Sequence, residues 1–143
     1  MEAPVFKLVK TTFAIRGISE SVGENYLFVD DEPLTNLVES QAIRNHSPDG
    51  PGWGYGGSGP AQAALMICLH IFKNKHVVQR LYQDFKWEYV ANWGKNGAPF
   101  DVTIDVADFL IEHREELKKA VQLEEWEKED AEWMNLPDEE PGK

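Results

Sequence analysis

Cysteine is almost absent from the sequence: Cys68 is the only one among 143 residues. This excludes an internal disulfide and a cysteine-based zinc site within one chain. Cys68 lies inside an apolar run, which is typical of a buried small hydrophobic residue. A catalytic thiol needs an exposed and electropositive setting, and the adjacent residues supply none.

Long hydrophobic runs are also lacking. The longest, Ala61 to Phe72, is interrupted by His70 and falls short of the roughly 18 residues that cross a bilayer. The N-terminal stretch MEAPVFKLVK lacks the charged and then apolar layout of a signal peptide. We therefore expect a cytoplasmic protein with no membrane partner.

Basic residues are few: the chain has 14 Lys and Arg against 25 Asp and Glu, for a net charge of −11. Phosphate backbones are bound by Lys and Arg, so the composition argues against direct nucleic-acid binding. Much of the acidity lies in Glu124 to Glu140, which holds nine acids and one base. We interpret 124–143 as an acidic tail, either a solvated terminus or a segment that binds a basic partner surface through Trp126 and Trp133.

The apolar fraction of 42% is ordinary for a globular protein, and the length suits one domain over 1–123 followed by the tail. The pattern predicts an α+β fold, in which an N-terminal antiparallel hairpin or small sheet packs on about three helices. Val5 to Ile15 and Tyr26 to Val29 have the composition of strands, and Gly17 to Gly23 has that of a turn. Leu34 to Ile43 fits a helix or an edge strand, and we favour a short edge strand or an irregular segment.

The second half of the chain predicts three helices and one strand. Pro60 suits the first helical position, with Ser58 or Gly59 as the cap, and Ala61 to Phe72 is apolar enough to be a buried central helix. The remaining elements are a helix over His76 to Trp93, a strand over Phe100 to Ile104, and a third helix that Asp105 caps and that reaches about Trp126.

The segment from Asn45 to Gly59 cannot form regular structure, because it holds six of the eleven glycines and two prolines. Glycines let a ligand or another backbone come close. The segment leads into a helix N-terminus, where free N–H groups and the helix dipole favour an anion by about 0.3–1 kcal/mol at exposed sites. Three roles stay open for this loop: an anion site, packing over aromatic rings, and a surface for a protein partner.

Two phosphate-binding motifs fit the loop only by spacing. Gly52, Gly54 and Gly57 match G-x-G-x-x-G, but the residues before them cannot form the strand that this motif requires. Gly52 and Gly57 also have the outer spacing of a P-loop, but Ser58-Gly59 stands where Lys-Ser/Thr should follow. The loop is therefore neither a Rossmann turn nor an NTPase loop.

The predicted ligand-binding residues belong to the loop and the first helical turn: Asn45, His46, Ser47, Trp53, Tyr55, Gly56, Gly57, Ser58, Gly59 and Gln62. Trp53 or Tyr55 would stack on a ring of the ligand, with core packing as the alternative. His46 would bind an anion or move a proton, with a structural role as the alternative. Gln62 would point into the loop or else face solvent.

Other groups of residues carry weaker signals. The other three histidines are scattered and predict no metal site: His70, His76 and His113. Asp101 and Asp105 are a candidate carboxylate pair, although helix capping accounts better for Asp105. We expect Arg80, Asp84 and Lys86 to form surface ion pairs on the second helix. No catalytic residue and no cofactor is predicted.

Three stretches form a distinctive string: NHSP at 45–48, WGYGGSGPAQ at 53–62 and LYQDFK at 81–86. This string resembles a small uncharacterised domain family with members in phages, archaea and bacteria. The resemblance covers roughly Asn45 to Val90 and implies a pair of strands before the loop. It carries no activity, so it identifies no catalytic residue.

These observations lead to three hypotheses about function. The first is a non-enzymatic protein that holds an anionic, nucleotide- or phosphate-like ligand at the loop and the helix start. The second is an inhibitor that occupies a basic surface of a host protein through its acidic tail, and the third is a small transferase or hydrolase that uses His46. A phage origin would place the chain in the host cytoplasm and favour a role against host defence. A homodimer is compatible with the aromatic residues of the tail.

Overall fold

A computed structural model describes residues 8–21 and 24–123, which form an antiparallel sheet packed against helices. The strands are β1 (Thr12–Ser21), β2 (Glu24–Val29), β3 (Glu32–Pro33) and β4 (Phe100–Asp105). They lie in the order β3-β2-β1-β4, and every pairing is antiparallel. The α+β prediction is therefore confirmed.

Helices fill the chain between β3 and β4 and also follow β4. They are α1 (Leu37–Ile43), α2 (Ser58–Phe72), α3 (Lys75–Glu88) and α4 (Ala107–Glu112), with short 3-10 turns at Val90–Asn92 and Lys95–Gly97. Helical backbone resumes over 114–123 after a turn at His113. Within the described part of the chain, no helix is long and apolar enough to span a membrane.

Strand β1 lies in the middle of the sheet and alternates between core and solvent. Phe13, Ile15 and Gly17 are buried, whereas Thr12 and Ala14 are exposed. This period of two is expected for a sheet with one face packed on helices. β4 pairs with the N-terminal part of β1, so the sheet joins two segments that are far apart in the sequence.

Helix α2 is the buried centre of the fold. Twelve of its fifteen residues are buried, among them Leu65, Ile67 and Cys68. The core combines α2 with residues of the sheet, α3 and Phe109 of α4. The predictions of a buried central helix and of a structural cysteine are confirmed, and burial raises the pKa of the Cys68 thiol well above its usual range.

The first strand lies further along the chain than predicted. We expected a strand over Val5 to Ile15 and a turn over Gly17 to Gly23, but β1 runs through most of that turn to Ser21. Residues 5–7 lie outside the described part. Gly17 pairs with β2 and β4 within the strand, and the rings of Phe100 and Trp53 take the space that a side chain would fill. This glycine therefore marks a close ring contact rather than a turn.

The segment from Leu34 to Ile43 contains a helix and is not the edge strand that we favoured. Before α1, the side-chain amide of Asn36 donates to the carbonyl of Met66 in α2 at 2.9 Å. The buried residue of α1 is Ser40, which is polar. A search for apolar residues at helical spacing therefore does not recognise this helix. Its hydroxyl accepts a hydrogen bond from Gln62 of α2 at 2.9 Å. A polar contact between two helices therefore accounts for the difference.

Helix α2 begins earlier than predicted. Its first residue is Ser58 and its N-cap is Gly57, so Pro60 is the third helical residue rather than the first. Proline is tolerated throughout the first turn because the N–H groups there have no partner within the helix.

Helix α3 also has different ends from those predicted. It starts at Lys75 because the side chain of Asn74 accepts two backbone N–H groups of the first turn. It ends at Glu88 rather than at Trp93. The side chain of Asn92 donates to the carbonyls of residues 87 and 88, which satisfies two of the acceptors left over at the helix end.

The C-terminal elements follow the predictions more closely. The strands expected over Tyr26 to Val29 and Phe100 to Ile104 are confirmed by β2 and β4. The carboxylate of Asp105 accepts the N–H of Ala107 at 2.9 Å at the start of α4, although Val106 is the N-cap residue.

The acidic tail lies outside the described residues. The domain predicted over 1–123 is described from Leu8 onwards except for residues 22–23, whereas 124–143 is not described. The partner-binding role of Trp126 and Trp133 thus stays a prediction from sequence.

We expect Gly17→Val to lower the free energy of unfolding by about 1–3 kcal/mol. A Cβ at this position would lie 2.3 Å from Phe100 Cε1 and 2.9 Å from Trp53 Cζ2. Urea denaturation followed by circular dichroism measures the change. The matched control, Ala14→Val, enlarges an exposed residue of the same strand and should stay within about 0.5 kcal/mol of the wild type. A Gly17→Val protein as stable as this control would contradict the packing described.

Candidate functional site

The glycine-rich segment forms a closed loop in front of α2. The amide of Gly52 donates to the carbonyl of Gly59 at 3.0 Å. This hydrogen bond closes the loop that residues 53–58 form. Before it, the amide of Gly50 donates to the carbonyl of Ser47 at 3.3 Å. The first part of the loop therefore uses its own backbone groups internally.

A second set of bonds attaches the loop to the segment after α3. Gly54 has a φ of +81° and passes so close to Gly94 that a side chain would collide with the Gly94 carbonyl. The amide of Gly54 donates to the carbonyl of Val90 at 3.1 Å, and the amide of Asn96 donates back to Gly54 at 3.3 Å. The path of the loop is thus defined on both sides of Gly54.

Trp53 belongs to the core and not to a ligand surface. Its side chain has no exposed surface, and its Nε1 donates to the carbonyl of Ala98 at 2.7 Å. Its ring packs edge-on against Phe100 with ring centroids 5.1 Å apart. Core packing, the alternative that the sequence left open, therefore applies to Trp53, and ligand stacking does not.

Gln62 holds the entrance of the loop from inside the protein. Its Oε1 accepts the backbone N–H groups of His46 at 2.8 Å and Ser47 at 3.0 Å, and its Nε2 donates to Ser40 Oγ at 2.9 Å. The side chain is fully buried, so these three bonds take the place of water. Gln62 therefore points toward the loop, as one reading predicted, but as a structural residue.

His46 lies between the loop entrance and α3. Its Nε2 is 2.8 Å from the hydroxyl oxygen of Tyr82, and the two ring centroids are 5.6 Å apart. Desolvation, and then the positive charges of Arg44 and Lys86, lower the pKa of His46 below its usual value. The imidazole is therefore predominantly neutral at pH 7.

The first turn of α2 leaves backbone N–H groups without a protein acceptor. The N-cap residue, Gly57, has no side chain that could accept them, and Pro60 has no N–H. Among the described residues, no hydrogen-bond acceptor is present for the amides of Gly57, Ser58 and Gly59. Gly57 is partly exposed and Ser58 is exposed, so their amides are accessible to an anion or to water, whereas Gly59 is buried beside the hydroxyl of Tyr55.

Tyr55 lies across this helix end, and 48% of its surface is exposed. Its hydroxyl lies beside Gly52 and Gly59, and the edge of its ring lies beside Gly57. The glycines let the ring lie flat against the loop, while its outer part faces solvent. Of the two aromatic residues in the loop, Tyr55 is therefore the one whose predicted stacking role is compatible with its position.

Helix α3 contributes two residues that the sequence did not assign to a site. The ring of Trp87, 59% exposed, lies against Gly56, where a Cβ would be 2.3 Å from its Cη2. Lys86 is only 8% exposed, and its Nζ lies over the Trp87 ring at 4.1 Å from the centroid. The sequence does carry a signal for Lys86, because its spacing of four from Tyr82 puts both on the face of α3 near His46.

Lys86 does not form the surface ion pair that we predicted for it. Arg80 pairs with Glu116 at 2.9 Å, and Asp84 lies 3.7 Å from the ring of His113, so both of these residues bind the segment after α4. Within the described part of the chain, Lys86 has neither a carboxylate partner nor a hydrogen bond. Asn36 Oδ1 is the one buried side-chain polar atom without a hydrogen bond among the described residues, so Lys86 buries its stem while its ammonium group reaches the surface.

The loop entrance is a basic region on an acidic protein. Arg44 is exposed, and among the residues described it forms no ion pair either. Asp49 is the one acidic residue between Asn45 and Gly59, and it is also exposed. Arg44 and Lys86 are thus two positive charges near His46, with Asp49 as an acidic residue in the same segment.

Two surface cavities lie at the opposite end of α2 and are not lined by the loop. One, of about 370 Å³, is lined by Lys10, Asp30 and His70, and the other, of about 390 Å³, by His70, Asp31 and Glu32. Hydrogen bonds from Lys10 and then from a backbone amide of β1 lower the pKa of Asp30. Acidic groups prevail in the second cavity and disfavour an anion there, whereas the first is also lined by Lys73.

The remaining candidates do not add to the loop site. Asn45 is exposed beside it, and the carbonyl of Ser47 is held by the side chain of Gln41 at 3.0 Å. The hydrogen bond from Ala107, followed by one from Thr11, lowers the pKa of the carboxyl group that begins α4. No group of His, Cys, Asp and Glu able to hold a metal ion occurs in the part of the chain that the structure describes.

Gln62→Leu should lower the free energy of unfolding by about 2–4 kcal/mol, since two backbone N–H groups, of His46 and Ser47, lose their acceptor. Urea denaturation measures the loss. Gln79→Leu makes the same change at an exposed position of α3 and should cost at most about 0.5 kcal/mol. Equal stability of the two variants would show that Gln62 does not hold the loop.

The neutral state of His46 can be tested by NMR titration. Its pKa should lie below 6.5, and Lys86→Met should raise it because one charge that opposes protonation is removed. The unfolded chain binds this proton more readily, so the contribution of His46 to stability falls as the pH drops below about 6.5 and is constant above that range. Lys75→Met removes an exposed charge at the start of α3 and should leave this pKa unchanged. The same pKa in the wild type and in Lys86→Met would contradict the assigned proximity.

Comparison with known proteins assigns the chain to a family. Residues 15–115 match the model of a family of unknown function, DUF6166. The matched range takes in most of the sheet, the glycine-rich loop and helices α1 to α4. Searches of the curated proteins and of the solved structures return no match. Because the family model covers well over half of the chain, the protein belongs to the DUF6166 family, in agreement with its resemblance to an uncharacterised domain family.

Proposed function

We propose that the chain is a non-enzymatic binding protein that holds an anionic, phosphate- or nucleotide-like ligand at the start of α2. The observation that carries the proposal is the set of amides at Gly57, Ser58 and Gly59, for which the described residues provide no acceptor. Backbone N–H groups at a helix N-terminus are a common binding site for phosphate and carboxylate groups. Hydrogen bonds to a charged acceptor contribute about 1.5–3 kcal/mol each.

The charges around the helix end support a ligand of negative sign. Arg44 and Lys86 both act on His46, which places their positive charges near the loop entrance. Lys86 is largely buried and has no acidic partner in the described part of the chain. Its ammonium group reaches the surface, so an incoming anion would gain binding free energy by pairing with it.

The contacts of His46 favour binding over catalysis. Its Nε2 faces the hydroxyl group of Tyr82, and its backbone N–H is held by Gln62. A general base must reach the proton that it removes from a ligand or a nucleophile. The ring nitrogen that the structure orients is already paired with a phenol of α3, so the enzyme hypothesis has less support.

Holding a nucleotide without converting it would remove that nucleotide from solution. In a phage-encoded chain this would deprive the host of a nucleotide signal, which connects the proposal with a role against host defence. The alternative of an inhibitor that acts through Trp126 and Trp133 depends on the sequence alone.

Isothermal titration calorimetry on the full chain tests the proposal with inorganic phosphate, pyrophosphate, and mono-, di- and cyclic nucleotides. We expect at least one of these anions to bind, and to bind more weakly at high salt because charge contributes to the affinity. Gly57→Val should weaken the binding by about tenfold or more. Its Cβ would lie 3.0 Å from Tyr55 Cε2, so the new side chain and the displaced ring would cover the amides.

The matched control is Ala14→Val, which enlarges an exposed residue of β1 and should bind the anion as the wild type does. Circular dichroism shows whether both variants are folded. Absence of binding across the whole panel would contradict the proposal, and so would binding that Gly57→Val leaves unchanged.

A further inference from the structure

We infer that the solvent-facing side of the sheet is an interaction surface for a basic, amphipathic segment of a protein partner. This side, formed by the outward residues of the four strands, is called the outer face below. Gly17 and Asn25 point the other way, toward Trp53 and Pro51 of the glycine-rich loop. The outer face is therefore turned away from the proposed anion site, and the inference does not depend on that site.

The strand register defines which residues meet on the outer face. Ile18 of β1 lies opposite Tyr26 of β2, and Arg16 lies opposite Phe28 in the next outward row. Pro33 of β3 lies on the other side of Phe28. None of these five residues belongs to the hydrophobic core or packs against it. Within the described part of the chain, the outer face is thus an unpartnered sheet surface.

The composition of the outer face departs from that of an ordinary solvated sheet. Outward residues of an antiparallel sheet are usually polar when one face packs on the core. Here Ile18, Tyr26 and Phe28 occupy adjacent outward positions, and Tyr26 is 46% exposed. Neighbours on one face of a sheet lie about 5 to 7 Å apart, so the three side chains form one continuous patch. A continuous apolar patch is typical of an interaction site, whereas single exposed apolar residues are not.

Arg16 covers part of this patch without closing it. Its guanidinium lies over the Phe28 ring, 4.3 Å from the centroid, and its Nη2 is 3.9 Å from Oδ1 of Asp31. Both contacts are weak at an exposed position. Arg16 can therefore move aside when an apolar group covers the ring.

The charges beside the patch indicate the sign of the partner. Glu24 precedes Tyr26 on β2, and Asp101 lies opposite Arg16 on β4. Both acids are exposed, and neither forms an ion pair with a described residue. Arg16 is the only basic residue in the four strands that the structure describes. An apolar patch with unpaired carboxylates beside it is complementary to apolar side chains flanked by Lys or Arg.

The same charges disfavour two other occupants of the outer face. A second copy would bring identical carboxylates and a further net charge of −11. The acidic tail of this chain holds nine acids and one base between Glu124 and Glu140, so it would also be repelled. A basic segment of another protein is the occupant that the charges attract.

The partner would lie flat on the outer face. Pro33 at the border of the sheet has no N–H with which to pair an added strand. An amphipathic helix can instead place its apolar stripe on the patch and its basic side chains toward Glu24 and Asp101.

Fluorescence anisotropy with a labelled helical peptide tests the inference on the full chain. The probe has Leu along one helical stripe and Lys elsewhere, and its matched control has Glu in place of every Lys. We expect the Lys peptide to bind more tightly than the Glu peptide by about tenfold or more, and more weakly as salt rises. Tyr26→Ser should weaken it by about tenfold or more. Asp101→Asn should weaken it by about twofold to fivefold.

Matched variants keep the comparison specific. Val38→Ser removes an apolar residue that is 73% exposed on α1, and Asp49→Asn removes an exposed carboxylate of the loop. Neither should change the affinity for the Lys peptide. Should Tyr26→Ser not fold, NMR shifts of the backbone amides of β1 and β2 in the wild type locate the peptide without a substitution.

The outcomes decide between the occupants. Weaker binding in Tyr26→Ser and Asp101→Asn, but not in the controls, supports the inference. Binding that Tyr26→Ser leaves unchanged overturns it, because the peptide would then be held elsewhere, for example by the acidic tail. Equal binding of the Glu peptide overturns it as well. So does a wild-type dimer that Tyr26→Ser dissociates in sedimentation experiments, since a second copy would then cover the face. None of these results bears on the anion site.

Discussion

The side-chain amide of Gln62 connects three parts of the chain that are far apart in sequence. A helix as buried as α2 can contain a polar group only if each of its hydrogen bonds is made inside the protein. Here the bonds go to Ser40 of α1 and to the backbone of His46 and Ser47. The position of α1, the entry of the loop and the placement of the imidazole all follow from this requirement.

The same requirement separates structural polar residues from those with a candidate role in binding. Three polar or charged residues are buried in the described part of the chain: Ser40, Gln62 and Lys86. The first two bind each other, whereas the ammonium of the third has only an aromatic ring beside it. Lys86 therefore buries its stem and keeps its ammonium group at the surface, where it is accessible to a group of opposite charge.

Features that depend on composition could be predicted from the sequence. The scarcity of polar residues in Ala61 to Phe72, where only Gln62 and His70 break the apolar run, was enough to predict a buried helix, and the glycines before it were enough to predict an irregular loop. The buried face of α1 could not be recognised, because its central residue is a serine whose partner lies 22 positions away. Tertiary contacts of this kind produce no periodic pattern of apolar residues in the local sequence.

Only part of the candidate site could be predicted from the sequence. Trp53 and Tyr55 have the same glycine-rich neighbours in sequence, yet Trp53 is buried in the core and Tyr55 is half exposed. What separates them is a hydrogen bond to Ala98 and a ring contact with Phe100, both on a segment more than 40 residues away. Lys86 was assigned to a surface ion pair because a sequence does not show that the stem of a lysine is buried.

The two-residue strand β3 has a consequence for how copies of this protein can meet. Its last residue, Pro33, has no N–H to offer, and Glu32 adds an exposed charge, so this border of the sheet resists the addition of a foreign strand. The opposite border, β4, carries exposed Asp101 and Asp105, which would repel the same residues of an approaching copy. Both margins of the described sheet therefore oppose fibre-like growth by strand addition.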